Sequence, residues 1–167
     1  MAKSRSRAPS IALACLVIAS SSLAVVQAEE PDTAHARRPR YELIDLGLPY
    51  YSVTAGINNK GQIVGSSNVP PPAPHVMEST AAQLYQDGTV TNLGSLGGYI
   101  SAAFGINDRG EIVGYSDTGP DTTSPLHAFL YRDGKMTDLG TFGGQNSDAV
   151  AINSHGVITG AADRNKQ

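Results

Sequence analysis

The chain repeats itself along most of its length. Residues 82–117 align with residues 128–163 without a gap, and Tyr85 falls opposite Tyr131, 46 positions later. A shorter copy precedes them at residues 41–68. A repeat of this length indicates stacked supersecondary units, each of which depends on its neighbours to bury its apolar face. The sequence therefore predicts a repeat array.

Each unit has the pattern of four short strands. In the second unit, residues 101–107 and 111–116 are mostly small or apolar and flank a tight turn. Residues 127–132 and 135–139 flank Asp133-Gly134, a strong hairpin signal. No segment carries a helical period over the length that a helix needs. We predict an all-β fold of four-stranded antiparallel units that are similar to β-propeller blades.

The units do not complete a propeller ring. They fall at about residues 41–80, 81–126 and 127–167, which gives two full blades and a partial third, because no further strand follows residues 157–162. Propellers typically have about four to eight blades. The chain is then a fragment of a longer repeat protein, one of several copies that together complete a ring, or an open array. In an open array, residues 41–46 and 157–162 would be strand edges that favour homo-oligomers.

Residues 1–28 have the pattern of a secretory signal peptide. A basic segment at residues 3–7 precedes an apolar stretch at residues 11–26, and Val26-Gln27-Ala28 fits a cleavage site. A membrane anchor fits less well, because this stretch is shorter than the ~20 residues of a spanning helix. Residues 29–40 are polar, contain two prolines and are predicted to be a disordered linker. We expect an exported protein, periplasmic or extracellular in a bacterial envelope, with no membrane span after cleavage.

Composition narrows the range of partners. Cys15 is the only cysteine and lies in the predicted signal peptide, so the mature chain holds together without disulfides. Removing the three basic residues of that peptide shifts the formal net charge from −3 to −6. An acidic surface argues against nucleic acid and against anionic membranes as partners.

Several motifs recur in a fixed order. The last unit shows His127-Ala128-Phe129-Leu130-Tyr131, then Asp138-Leu139-Gly140-Thr141-Phe142-Gly143-Gly144, then Ser147, Ala149, Ile152, Asn153, Gly156 and Gly160. This series resembles the HAF-type extracellular repeat family over nearly all of residues 41–163. The middle copy departs from the pattern, with Ala81-Ala82-Gln83 in place of His-Ala-Phe and Asn92 in place of Asp. The resemblance implies export and a repetitive β-fold, and it supplies no catalytic residue.

Recurring polar residues have structural explanations. Ala81 stands where the next unit has His127, so we expect the His127 ring to hydrogen-bond a neighbouring loop and not to bind a repeated metal. The Asn-rich turns near residues 58–61, 107–110 and 153–156 offer too few acids for calcium and are expected to be plain β-turns. An Asp or Asn recurs directly before each Leu-Gly, and its side chain is predicted to accept N–H groups of the following turn. These residues are Asp45, Asn92 and Asp138. We predict no catalytic residue, no cofactor and no metal site.

The long, variable loops are the predicted binding surface. In a blade, the loops after the second and fourth strands lie on one face, and binding residues concentrate on such loops. The expected function is an exported, non-catalytic interaction module for an unknown protein or glycan. One alternative is a carbohydrate-processing propeller enzyme, which would need two acids facing each other across this face, whereas the nearby loop acids Asp117 and Asp121 lie in one loop. Another alternative is a degenerate fragment without independent function. The candidate ligand-binding residues are Tyr50, Tyr51, Tyr99, Gln145 and Asn146.

Matched apolar positions predict the core. Because paired residues occupy the same place in successive units, we expect both members of each pair to be buried at matched sites. The pairs are Leu84 and Leu130, Leu93 and Leu139, Ile106 and Ile152, and Ile112 and Ile158.

Overall fold

The computed structural model describes residues 13–16, 24–28, 41–48, 52–70, 79–121 and 123–165. These segments contain thirteen β-strands and no helix. The predicted linker at residues 29–40 lies outside the described residues. The strands are β1 (Leu13–Leu16), β2 (Ala24–Ala28), β3 (Tyr41–Asp45), β4 (Val53–Ile57), β5 (Ile63–Asn68), β6 (Thr80–Gln86), β7 (Thr89–Asn92), β8 (Ser101–Ile106), β9 (Ile112–Asp117), β10 (Leu126–Arg132), β11 (Lys135–Gly140), β12 (Gly143–Ile152) and β13 (Ile158–Arg164).

The strands form four sheets whose strand pairs are antiparallel. A three-stranded sheet has the order β1-β2-β3, two four-stranded sheets have the orders β4-β5-β6-β7 and β8-β9-β10-β11, and β12 pairs with β13. The second and third sheets each contain one complete four-stranded repeat, but they cross the predicted unit boundaries near residues 80 and 126. From here on, the first unit is β4–β7, the second unit is β8–β11, and the β12–β13 hairpin opens the third unit. The predicted all-β, antiparallel fold is confirmed. No closed barrel forms among the residues that the structure describes.

Asp-Gly dipeptides close the hairpins between the third and fourth strands of the two complete units. Asp87 and Gly88 have φ of +50° and +78°, and Asp133 and Gly134 have φ of +53° and +77°. Positive φ at both central residues is the geometry whose twist matches that of the flanking strands. The turn residues therefore fix the register of both hairpins, as predicted.

A second glycine position permits a β-bulge in every unit. The register of β8 against β9 shifts between Ala103 and Gly105, and a Cβ on Gly114 of β9 would overlap the Ala102 carbonyl. Similar shifts occur in the β4–β5 and β12–β13 pairs. Glycine is needed opposite the bulge because the backbones approach too closely for a side chain.

The units stack with the first strand of each unit against the preceding sheet. Strand β8 lies against β4, β5 and β6, and β12 lies against β8, β9 and β10. A first core cluster fills the space between the first two units; it contains Val64, Ala82, Leu93, Ala103, Ile106, Ile112 and Phe129. A second cluster joins the last two units; it contains Val113, Ala128 and Ala149, with Leu130, Ile152 and Ile158 packed against it.

The core prediction is right for most of the earlier members of the matched pairs and wrong for the later members. Leu84 and Leu130 are both half-buried. Leu93 and Ile112 are 6% and 0% exposed, whereas Leu139, the equivalent of Leu93, is 44% exposed. The equivalent of Ile112, Ile158, is only half-buried. The physical reason is that these positions are buried only when a further strand lies beside β13. Among the described residues, β13 pairs with β12 alone, apart from a single bridge between Phe142 and Arg164.

The predicted strand near residue 41 is present, but one of its edges is already paired. Strand β2 pairs with β3 along its whole length, with Val26 opposite Leu43. Strands β1 and β2 both lie within the predicted signal peptide, so β3 has this partner only in a chain that keeps those residues.

Candidate binding groove at the loop end

The strand order separates short turns from long connections. Within the second unit, the β8–β9 turn and the β10–β11 turn lie at one end of the sheet, because all neighbouring strands are antiparallel. The connections at residues 93–100, 118–125 and 141–142 lie at the opposite end, together with the start of β12, and we call this the loop end. Such connections are where binding residues concentrate on a rigid scaffold. Gln145 and Asn146, which were predicted to lie in a loop, belong to β12.

A groove of about 420 Å³ opens at the loop end, between the second unit and the β12–β13 hairpin. Two aromatic side chains line it: the ring centroids of Phe104 and Tyr115 are 5.5 Å apart and their planes are tilted by 60°. Both rings are half-buried. The other lining residues are Leu126, Asn146, Ser147, Asp148, Ala161, Ala162 and Asp163. The groove thus combines apolar surface with a few polar groups, the usual composition of a ligand site.

The aromatic pair belongs to the second unit alone. Phe104 lies in the β8 bulge and Tyr115 directly follows Gly114 on β9. In the first unit the aligned positions hold Ala55 and Ser66. Because the fold is built without aromatics at these positions elsewhere, the two rings are not a requirement of the repeat. Our sequence reasoning missed them, although this departure from the repeat was a signal that could have found them.

Asn146 is the one predicted candidate that lines the groove. Its backbone N–H and its side-chain amide both donate to the Asp163 carboxylate, at 3.0 and 3.1 Å. Its Oδ1 accepts the backbone N–H of Leu126 at 3.2 Å. These bonds tie the β10 start to the β12–β13 hairpin, so Asn146 fixes the wall of the groove as well as facing it.

Two further candidates, Tyr99 and Gln145, do not line the groove. Tyr99 is half-buried beside the first unit, where its carbonyl accepts the Thr80 N–H at 3.1 Å. Gln145 is exposed. The remaining candidates, Tyr50 and Tyr51, lie outside the described residues.

The acids considered for catalysis do not form a pair. Asp117 is buried, and its two carboxylate oxygens accept the backbone N–H groups of Tyr99 and Ile100 at 2.7 and 3.0 Å. Asp121 is exposed in the connection that follows. Asp117 holds a loop in place, whereas the acids that face the groove are Asp148 and Asp163.

The predicted role of the residues before Leu-Gly is confirmed in all three units. Each of them accepts the N–H of the glycine two positions later: Asp45 from Gly47 at 2.9 Å, Asn92 from Gly94 at 2.8 Å, and Asp138 from Gly140 at 2.6 Å. Asp138 also contacts Nδ1 of His127 at 2.8 Å. The His127 partner is thus on the neighbouring strand β11, and not on a loop as expected.

At the opposite end of the units, the Asn-rich turns form a ladder that the sequence did not predict. The Asn58 amide donates to the Asn107 carbonyl at 2.9 Å, and the Asn107 amide donates to the Asn153 carbonyl at 3.0 Å. Beside it, hydrogen bonds from Arg109 and then Asn107 hold the pKa of Glu111 below its ordinary value. The turns are confirmed as structural elements that link neighbouring units.

The described residues contain no group of three or more His, Cys, Asp or Glu side chains placed to hold a metal ion. They also contain no helix that is long and apolar enough to cross a membrane. Comparison with protein-family models, curated proteins and solved structures found no match to this chain.

Proposed function

We propose that this chain is an exported, non-catalytic binding module that holds a glycan in the loop-end groove. The observation that carries the proposal is the tilted Phe104–Tyr115 pair, which offers two apolar ring surfaces beside hydrogen-bonding groups. The Asp148 and Asp163 carboxylates accept hydrogen bonds and the Asn146 amide can donate one, which suits the hydroxyl groups of a sugar. A protein ligand is the other class that the loop end could bind.

The proposed architecture follows from the same units. We infer that the two four-stranded sheets and the β12–β13 hairpin are blades of an incomplete propeller of the HAF-repeat type. The support is the sequence resemblance together with the stacking of each first strand on the preceding sheet. In a propeller, loop-end grooves between adjacent blades are formed again at every interface. Here the second interface has aromatic side chains at the positions of Phe104 and Tyr115, where the first has Ala55 and Ser66.

The acid at the groove wall has a structural role, because the Asp163 carboxylate accepts two hydrogen bonds from Asn146. A glycosidase needs a pair of carboxyl groups, one of which donates a proton to the leaving group. Release of reducing ends from a bound oligosaccharide therefore distinguishes a hydrolase from a binding module.

The first unit supplies the substitutions that test the groove. Phe104→Ala and Tyr115→Ser each introduce the residue that the fold already accepts at the aligned position, so both variants should fold. The measurement is saturation-transfer NMR with a panel of soluble oligosaccharides and short peptides. We expect at least one oligosaccharide to receive saturation, and each variant to weaken its binding by about tenfold or more.

Phe142→Ser is the matched control, because Phe142 is 71% exposed and does not line this groove. The control should bind like the unsubstituted protein. Binding that survives both groove substitutions would refute the site, and binding of peptides alone would replace the glycan with a protein partner. Release of new reducing ends from the bound oligosaccharide would show a hydrolase instead.

A further inference from the structure

Among the described residues, one edge of β13 has no strand partner, and a second pocket borders this edge. The pocket overlaps the loop-end groove at Ser147, Asp148, Ala161 and Ala162 and extends away from it along β13. This pocket has a volume of about 340 Å³ and follows β13, since five consecutive residues from Ile158 to Ala162 line it. Further lining residues come from the second unit and from the connection after it, among them Ala128, Leu139 and Phe142. The pocket is therefore a trough with both apolar and polar lining, beside a strand edge that has open hydrogen-bonding groups.

The interface between the first two units shows what fills the equivalent space. Phe129 of β10 is 0% exposed and belongs to the same buried cluster as Ala82, Leu93, Ala103 and Ile112. Moved forward by one repeat of 46 residues, these four positions become Ala128, Leu139, Ala149 and Ile158, and all four line the trough. The trough is thus the place where a side chain equivalent to Phe129 would lie.

The exposure of two residues supports this equivalence. Leu96 packs against the first cluster, whereas its equivalent Phe142 is 71% exposed. Leu93 is 6% exposed, whereas its equivalent Leu139 is 44% exposed. Both differences have the same cause, since the first interface contains β10 and the second contains no strand at that position among the described residues.

We propose that the β13 edge and its trough bind an extended partner peptide that adds an antiparallel strand and places an aromatic side chain in the trough. The β9–β10 pair gives the register: Ala128, Phe129 and Leu130 lie opposite Tyr115, Gly114 and Val113. The peptide should therefore carry a small, an aromatic and an aliphatic residue opposite Ala161, Gly160 and Thr159. Main-chain bonds supply affinity in such strand addition, and the pocketed side chain supplies specificity.

The main-chain groups of β13 that would bind the peptide follow from the second unit. The Asp117 N–H donates to the Ile100 carbonyl, on the side where β9 meets β8. Because N–H groups alternate between the two edges of a strand, the Ser116 N–H faces β10. The equivalent of Ser116 is Ala162, whose N–H is therefore directed at the free edge.

The test uses a fluorescein-labelled synthetic peptide that spans residues 125–133 of this chain, which contain the β10 strand. We expect its fluorescence anisotropy to rise saturably on addition of the purified protein. A peptide with Phe129→Ala should bind at least about tenfold more weakly. Failure of the first peptide to bind, or equal binding of the two peptides, would overturn the proposal.

Protein variants locate the site. Leu139→Asp also separates it from the loop-end groove, because Leu139 lines only the trough, whereas Ala162 lines both. Leu139→Asp places a charge in the trough at an exposed position, and Ala162→Pro removes an edge donor. Both should weaken binding of the peptide by about tenfold or more. Val150→Asp is the matched control, because Val150 lies on β12, is 52% exposed and does not line the trough; it should bind normally.

Sedimentation of the protein without peptide tests whether a second copy of the chain occupies the β13 edge. We expect a monomer that binds the peptide one to one. A dimer that excludes the peptide and dissociates on Ala162→Pro would show that a second copy occupies the edge, which would overturn the proposal. Phe104→Ala should leave peptide binding unchanged, so failure of the glycan groove and failure of this site are distinguishable.

Discussion

Asparagine holds both the turns and the contacts between units. The Asn107 Oδ1 accepts the N–H groups of Arg109 and Glu111 at 3.0 and 3.1 Å, and its amide donates to Glu111 and to the Asn153 carbonyl. One buried side chain thus makes four hydrogen bonds to groups that water would otherwise have to satisfy. Asp cannot replace it in this role, because a carboxylate has no N–H to donate.

Substitution of the ladder asparagine should lower the free energy of unfolding strongly where the ladder is buried and only slightly where it ends. Asn107 is 5% exposed, so Asn107→Ala leaves buried polar groups unpaired and should lower the free energy of unfolding by about 2–4 kcal/mol. Asn153 makes the same two turn bonds but is exposed, so Asn153→Ala should cost about 1 kcal/mol or less. Urea denaturation of the two variants measures the difference. Equal midpoints would mean that the ladder contributes nothing beyond the turns.

Strands at equivalent positions in the repeat contribute unequally to the free energy of unfolding. The reason is that burial of their side chains depends on the interface with the neighbouring unit. Ile112 on β9 is 0% exposed, whereas Ile158 on β13 is only half-buried. Ile112→Ala should cost about 2–5 kcal/mol, as truncations in cores do. Ile158→Ala should cost about 1–2 kcal/mol, since less apolar area leaves water there. Thermal or chemical denaturation checks this, and a larger loss at Ile158 would contradict the observed packing.

Local chemistry decided which elements the sequence could predict. The Asp133-Gly134 turn, the glycine opposite each bulge and the residue before each Leu-Gly act within a few residues, so the strands and their hairpins were predictable from the pattern. Leu139 is exposed because the described part of the chain places no further strand beside β13, and no local pattern contains that information. The aromatic groove was missed because we compared positions that are alike in successive units of the sequence. Phe104 and Tyr115 differ from the residues at the equivalent positions and were therefore not considered.

At the scale of the whole molecule, the first sheet is the part most dependent on processing. Tyr41 and Leu43 of β3 are 60% and 64% exposed, so little apolar burial holds this strand. Its main-chain bonds are made to β2, which ends at Ala28, the residue before the predicted cleavage site. The stacked units from β4 to β13 have their own core clusters and do not need β2. Export should therefore release β3 without unfolding the repeat array.

Secreted protein should begin at Glu29 by N-terminal sequencing, and hydrogen exchange should distinguish it from an uncleaved form. In the cleaved protein, amides of residues 41–48 should exchange much faster than in an Ala28→Arg variant, because a bulky charged residue at this position blocks cleavage and keeps β2 in place. Residues 101–117 serve as the internal control, and their exchange should be the same in both proteins, since β8 and β9 are buried between neighbouring units. Intact chains that begin at Met1 and stay in the cytoplasm would contradict export. Slow exchange of residues 41–48 in the cleaved protein would show instead that another strand takes the place of β2 on the edge of β3.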